Sequence, residues 1–320
     1  MDLIGGEAIA LDKDVEINEF GSFLIHAGMY PFSFEKVLKY FKEENKKIVY
    51  DVDDAITLID ESNPSYYAIK KDSGSFTELL EHADEVTTTT QIMADYLKPL
   101  TKANITVIPN CYDPKEWTYP RPKREGLRIG FAGSGTHVSD LLLVLPSIRK
   151  LQKKYHFKFI LFGLGPQATY QEWFKAYRYV STEKGIAELY EFDKILSEIT
   201  FEWCPYVDYE NYPATLTNIA LDIGLCPLKD TPFNRCRSAV KAMEYTLSGA
   251  LALASDLPPY QAEQSSVLVK DNGWEDGLEA LIKHPEIIND LRAASEVWIK
   301  ENRNISTQLD TLKKVYGLPM

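Results

Sequence analysis

Residues 222–260, DIGLCPLKDTPFNRCRSAVKAMEYTLSGALALASDLPPY, constrain the architecture more than any other stretch of the chain. An apolar run over 223–228 reads as a buried strand, and KDTPFNRCR after it reads as a charged loop of little hydrophobicity. Ser238 has the chemistry of an N-cap, and residues 239–247 follow with helical spacing. Gly249 stands where a helix C′ glycine belongs, and the apolar run 250–254 starts at once as a second strand. A strand that delivers a polar loop onto a helix N-terminus makes an anion site, because unpaired N–H groups and the helix dipole both face the loop. Lys241 and Glu244 fall about one turn further along, which places a cation and a carboxylate beside any bound diphosphate.

The rest of the chain repeats this alternation. Strands are expected over 22–27, 47–52, 85–88 and 105–108, with helices over 34–43, 74–82 and 90–97. After a Pro- and charge-rich linker, TYPRPKREG (118–126), strands are expected over 127–132, 157–161, 198–203 and 220–225. The helices of this second half fall at 140–155, 209–216, 276–282, 286–303 and 306–315. Alternating strands and helices imply parallel sheets, so the fold class is α/β. The basic run RPKREGLR (121–128) reads as a solvated linker.

The pattern D-x-G-L-x-P-L-x-D-x-x-F-N-x-x-x-S-x-x-K-x-x-E-Y-x-x-x-G resembles the donor-binding segment of retaining glycosyltransferases of family four (glycosyl transferases group 1). Three further segments resemble the same family in the same order: KKIVYDVDDA, VIPNCYDPKEW and LRIGFAGSGTHVSDLLLVLPSIRKL. The resemblance implies a GT-B fold, with two Rossmann-like domains facing across a cleft and a shortened N-terminal domain. The implied divisions are an acceptor-side domain over 1–119 and a nucleotide-sugar domain over 120–303. A terminal helix over 304–320 is expected to cross back to the first domain.

The resemblance also assigns roles. Glu244 matches the second glutamate of the family's E-x7-E motif and would hold the ribose hydroxyls, as an ionised acceptor of two adjacent O–H groups. Ser238 and the amides of Ala239 and Val240 would meet the diphosphate, with Lys241 and Arg237 neutralising it and Asn234 in the same segment. Gly133, Ser134, Gly135, Thr136 and His137 form a loop after a buried strand, where backbone amides approach phosphate closely. The arginine and lysine common in that family loop are absent here. The first glutamate of the motif is also absent: Cys236 occupies its position, with Asp230 the nearest acidic side chain.

Asp51, Asp53 and Asp54 close a strand at the edge where open α/β sheets hold ligands, and with His26 they are the acceptor-side candidates. Asp53, Lys241 and Glu244 are the candidate catalytic residues. Asn110 is expected to stabilise the interdomain turn. D-x-D could be read as a metal motif, but the implied chemistry needs none, so no metal and no cofactor are expected. The implied reaction moves a sugar from a UDP- or GDP-sugar to a saccharide or other hydroxyl-bearing acceptor with retained configuration. The alternative is a non-catalytic GT-B-like sugar-binding or scaffold subunit.

Composition sets the outer bounds. The 320 residues, 45% hydrophobic, suffice for two domains with real cores. The net charge of −12 argues against a nucleic-acid partner. No apolar stretch reaches the ~18 residues that span a bilayer. Four cysteines without zinc-like spacing read as buried thiols, which points to the cytoplasm. Homo-oligomerisation is left open.

Overall fold

The computed structural model describes residues 22–26, 42–164 and 181–317. Most of the expected helix over 34–43 lies outside these residues. The described strands form two sheets, and every pairing in both is parallel.

The first sheet takes its strands in chain order: β1 (Ser22–His26), β2 (Lys47–Val52), β3 (Glu85–Thr88) and β4 (Asn104–Val107). Its core gathers Ile48, Tyr50, Val52 and Val86 from the strands with Phe76, Leu79, Leu80, Met93 and Leu97 from the crossover helices. The first of these helices, Tyr66–His82, is twice as long as the sequence led us to expect. Gly74 and the polar KKDS before it look like a helix start. In the fold they lie mid-helix, carried by the packing of Phe76, Leu79 and Leu80. The second crossover helix, Gln91–Leu97, is capped by Thr90, whose Oγ1 accepts from the Met93 amide at 3.2 Å.

The second sheet has the order β10-β9-β8-β5-β6-β7. Its strands are β5 (Arg128–Gly133), β6 (Lys158–Gly163), β7 (Glu202–Pro205), β8 (Ile223–Cys226), β9 (Leu251–Ser255) and β10 (Ser266–Val269). β8 and β9 are buried along their whole length, as expected of parallel strands covered on both faces. The chain runs outward from β5 to β7, then returns to the other side of β5 as β8. That reversal leaves a crevice beyond the C-terminal ends of β5 and β8, the place where open α/β sheets take ligands.

Three local departures have physical reasons. The helix expected over 140–155 is split into Val138–Leu141 and Leu145–Leu151. Pro146 accounts for the break, since it lacks an N–H and its ring collides with the carbonyl four residues back. The Glu183–Leu196 helix escaped the sequence reading, although Thr182 caps it and Leu189, Phe192, Ile195 and Leu196 bury one stripe. The basic linker is not solvated throughout. Arg121 Nη2 donates to Ala220 O, Leu221 O and Asp222 Oδ1, at 3.2, 3.0 and 2.6 Å, and Arg128 is buried with its Nε on Ile219 O.

The two units touch along both ends of the crevice. At one end the Ser139 hydroxyl donates to Ser62 O at 3.1 Å, Thr182 Oγ1 donates to Glu61 O, and Lys184 pairs with Asp60 at 3.1 Å. At the other, Tyr112 bridges Asn304, with the Tyr112 amide on Arg303 O and the Ile305 amide on Tyr112 O. The last helix, Leu309–Tyr316, returns to the first unit, where Lys47 Nζ donates to Val315 O at 2.6 Å. Among the described residues no helix is long and apolar enough to cross a membrane.

Candidate functional site

The loops after β5 and β8 supply the crevice. The helix after β8 spans Val240–Leu247 and ends at Ser248, followed by Gly249 at φ +84°. Its N-cap is Ala239, with no side-chain cap bond, so Ser238 is not the cap that its residue type suggested. Instead Ser238 Oγ accepts from Asn110 Nδ2 of the first unit at 2.7 Å. The segment between β8 and this helix is not a plain loop either. Thr231 Oγ1 accepts from the Asn234 amide and starts a short helix, Pro232–Cys236, whose Phe233 and Cys236 pack into the core of the first unit.

Spacing of three along the Val240–Leu247 helix puts Lys241 and Glu244 on one face, turned toward the end of β5. Lys241 Nζ donates to Ala132 O at 2.5 Å and stands 4.7 Å from the centre of the Phe131 ring. Burial holds the Lys241 ammonium below its ordinary pKa, opposed by the charge of Glu244. Glu244 Oε2 accepts from Tyr212 Oη at 2.9 Å, and Tyr212 stacks on Phe162 with rings 5.4 Å apart. Burial raises the Glu244 carboxyl above its usual range, with Lys241 and the Tyr212 hydrogen bond pulling the other way. Gly133 makes room for this arrangement: a Cβ there would sit 2.9 Å from the Phe131 ring and 3.0 Å from Lys241 Nζ.

The rest of the glycine loop is tied to itself. Ser134 is exposed and shares a 2.8 Å hydrogen bond with Thr136, and Gly135–His137 form one turn of 3-10 helix. His137 is buried, not a surface histidine, with Nδ1 2.9 Å from Asp140 Oδ2. Desolvation, reinforced by the nearby charge of Lys241, lowers its pKa to about 4 despite the Asp140 hydrogen bond. A neutral imidazole that gives its Nδ1 proton to Asp140 brings no positive charge to a phosphate near neutral pH. Asp140 Oδ1 in turn accepts from the Lys229 amide at 2.8 Å and from Asn234 Nδ2 at 3.1 Å. Asn234 Nδ2 also donates to Lys229 O at 2.9 Å, so this side chain fastens the β8 loop.

The remaining candidates lie on or toward the first unit. Arg237 Nε is 3.7 Å from Asp54 Oδ1 across the crevice. Asp51 accepts from the Thr87 hydroxyl of the neighbouring strand, which fixes it within the sheet. Asp53 is partly buried just beyond β2, and His26 ends β1 in register with Asp51. Cys236 is buried, its carbonyl accepting from Thr90 Oγ1 at 2.9 Å, and burial raises its thiol pKa. Its side chain is a packing group between the units. All four cysteines are free; Cys226 and Cys236 are buried, whereas Cys111 and Cys204 are only partly so.

Two cavities adjoin these groups. One, of about 120 Å³, is bordered by Asp54, Asp60, Thr136, Asp140, Lys229 and Arg237. The other, of about 310 Å³, lies between the units on the Met243 side of the Val240–Leu247 helix. Lys241 and Glu244 line neither, since they face β5. Sequence reasoning missed Tyr212, Asp140 and the Lys229–Glu188 pair, whose Nζ and Oε1 are 2.6 Å apart. Only Asp140 left a trace, as the acidic residue three places after His137.

Solved structures with a similar fold include sucrose-phosphate synthase from Thermosynechococcus elongatus, 13% identical, with a TM-score of 0.61 over 93% of this chain and 73% of that one. HepE from Anabaena in complex with UDP is 11% identical, with a TM-score of 0.63 over 94% and 79% of the two chains. A UDP-forming α,α-trehalose-phosphate synthase from Burkholderia vietnamiensis is 12% identical, with a TM-score of 0.61 over 92% and 71%. The fold is GT-B. No family model and no curated protein sequence matches the chain. Within the GT-B frame the crevice at β5 and β8 belongs to the second unit, and Asp54 reaches it from the first.

Proposed function

We propose that the protein is a glycosyltransferase that takes its sugar from a nucleotide-sugar donor, of the retaining, family-four kind that the sequence resembles. The observation that carries this reading is the pairing of Lys241 and Glu244 on one helix face, at the glycine loop after β5. Glu244 would take the ribose hydroxyls, with Tyr212 fixing its carboxylate. The backbone amides of Ala239 and Val240 would meet the diphosphate at the helix start, with Gly133, Ser134, Gly135 and Thr136 closing over it. Negative charge that develops on the departing diphosphate would be met by Lys241, Arg237 and the helix dipole, with no metal ion. Asp53 would act from the first unit on the sugar or acceptor. Support comes also from HepE, solved with UDP and with UDP-glucose.

Thermal-shift measurements with UDP-, GDP-, ADP- and TDP-sugars test the reading, on the wild-type protein and on Glu244→Ala and Lys241→Ala. One donor is expected to stabilise the wild type selectively and neither variant. A flat response to every donor would refute it. Cys236, in the position of the family's first glutamate, favours a second reading: a GT-B-like subunit that binds nucleotide without transferring sugar. Stabilisation by a donor with no release of its nucleotide, whatever the acceptor, would decide for that reading.

A further inference from the structure

The 310 Å³ cavity shares the start of the Val240–Leu247 helix with the proposed donor site but has a different chemistry. Ile92, Val107 and Pro109 of the first unit face Val240, Met243 and Pro259 of the second across it. Polar groups gather at the helix start, where Asn110 Nδ2 donates to Ser238 Oγ and Arg237 borders both cavities. The other charged side chains at its edge are already matched. Arg303 places Nε and Nη2 on Glu263 Oε1 at 3.0 and 2.9 Å, and Arg235 holds Asp230 through two contacts. A ligand in this space therefore meets mostly apolar walls and matched charges, with polar groups at the Ser238 end and a few hydroxyl and amide groups of Thr89, Thr90 and Gln91 on the first-unit side.

We infer that this cavity receives the acceptor, and that the acceptor is an uncharged alcohol with one hydroxyl at the Ser238 end and a compact apolar body. The inference rests on the donor reading above. A saccharide would press several of its remaining hydroxyls against Ile92, Val107 and Met243, where they find no hydrogen-bond partner. The volume sits at the lower end for small-molecule sites and holds on the order of ten non-hydrogen atoms, at ~30 Å³ apiece. In the transfer the alcohol oxygen bonds to the anomeric carbon as the bond from that carbon to the diphosphate oxygen breaks. The hydroxyl proton leaves with the diphosphate.

2-Naphthol, with one hydroxyl on an apolar body, is the probe, and methyl glucoside is the saccharide control. Binding is measured by calorimetry in the presence of the nucleoside diphosphate of whichever donor stabilises the wild type, on the wild type and on Ala262→Trp and Ile92→Asp. Both positions border the cavity and are exposed, so the substitutions spare the core. The wild type is expected to bind 2-naphthol and not methyl glucoside. Each variant is expected to lose affinity about tenfold or more while its stabilisation by that nucleotide persists. Equal 2-naphthol binding in wild type and variants, no binding at all, or tighter binding of methyl glucoside would overturn the inference and leave the donor reading standing. Absence of any response to the UDP-, GDP-, ADP- and TDP-sugars in the wild type would remove the donor reading, and the acceptor assignment with it.

Discussion

The Nδ1 atom of His137 lies 2.9 Å from Oδ2 of Asp140, with both side chains buried beneath the glycine loop. The pair makes stability depend on pH. His137 has an ordinary pKa of 6.5 and titrates at about 4 in the fold, so unfolding takes up a proton between those values. Stability therefore falls as pH drops from 6.5 to 4, by about 3 kcal/mol in all. His137→Asn keeps a donor for Asp140 and removes the titration. Its urea midpoint should decline less steeply than that of the wild type across this window, and parallel curves would contradict the assignment.

Glu244 carries the opposite sign for an acid. Its folded pKa is raised above 4.5, so the folded protein holds the proton more tightly and stability declines as pH rises past 4.5 toward the folded value. Glu244→Gln keeps an acceptor for Tyr212 without the buried charge. At pH 8 this variant should melt above the wild type, with the difference closing by about pH 4. Its response to a nucleotide-sugar should be lost, because one amide oxygen replaces a carboxylate that takes two hydroxyls.

Cys236→Glu supplies the glutamate of the motif that the sequence resembles, but not in the matching place in space. The side chain at 236 is buried among apolar residues of the first unit, so a carboxylate there would be stranded. A loss of about 3 kcal/mol or more is expected on thermal or urea unfolding, against about 1 kcal/mol for Cys236→Ala. Transfer activity gained by Cys236→Glu would show that the residue faces the crevice after all.

Gly74→Ala should stabilise. Gly74 lies inside the Tyr66–His82 helix, and a Cβ there meets nothing within 4 Å. Removing the extra backbone freedom of glycine should add about 0.5–1 kcal/mol to unfolding stability by urea titration.

Much of the fold was legible because strands announce themselves as runs rich in apolar and β-branched residues; Lys47–Val52 and Glu85–Thr88 fell where expected. The donor-like segment was legible because a lysine and a glutamate three apart must share a helix face. What escaped depends on tertiary contact. Gly74 lies mid-helix because Phe76 and Leu79 are buried behind it. Arg121 is engaged because three acceptors near residue 221 happen to converge on it. Tyr212 meets Glu244 only through the stacking of helix and sheet, and no spacing in the chain encodes that distance.

Among the described residues the chain passes between the units twice, and the two passages are laced together where Tyr112 bonds to Arg303 and Ile305. Two laced passages behave like a piano hinge: they allow a swing about their common line and resist sliding or twisting. Any widening of the crevice is thus confined to one arc. Asp54 and Arg237, which sit away from that line, would part before Asn110 and Ser238 do.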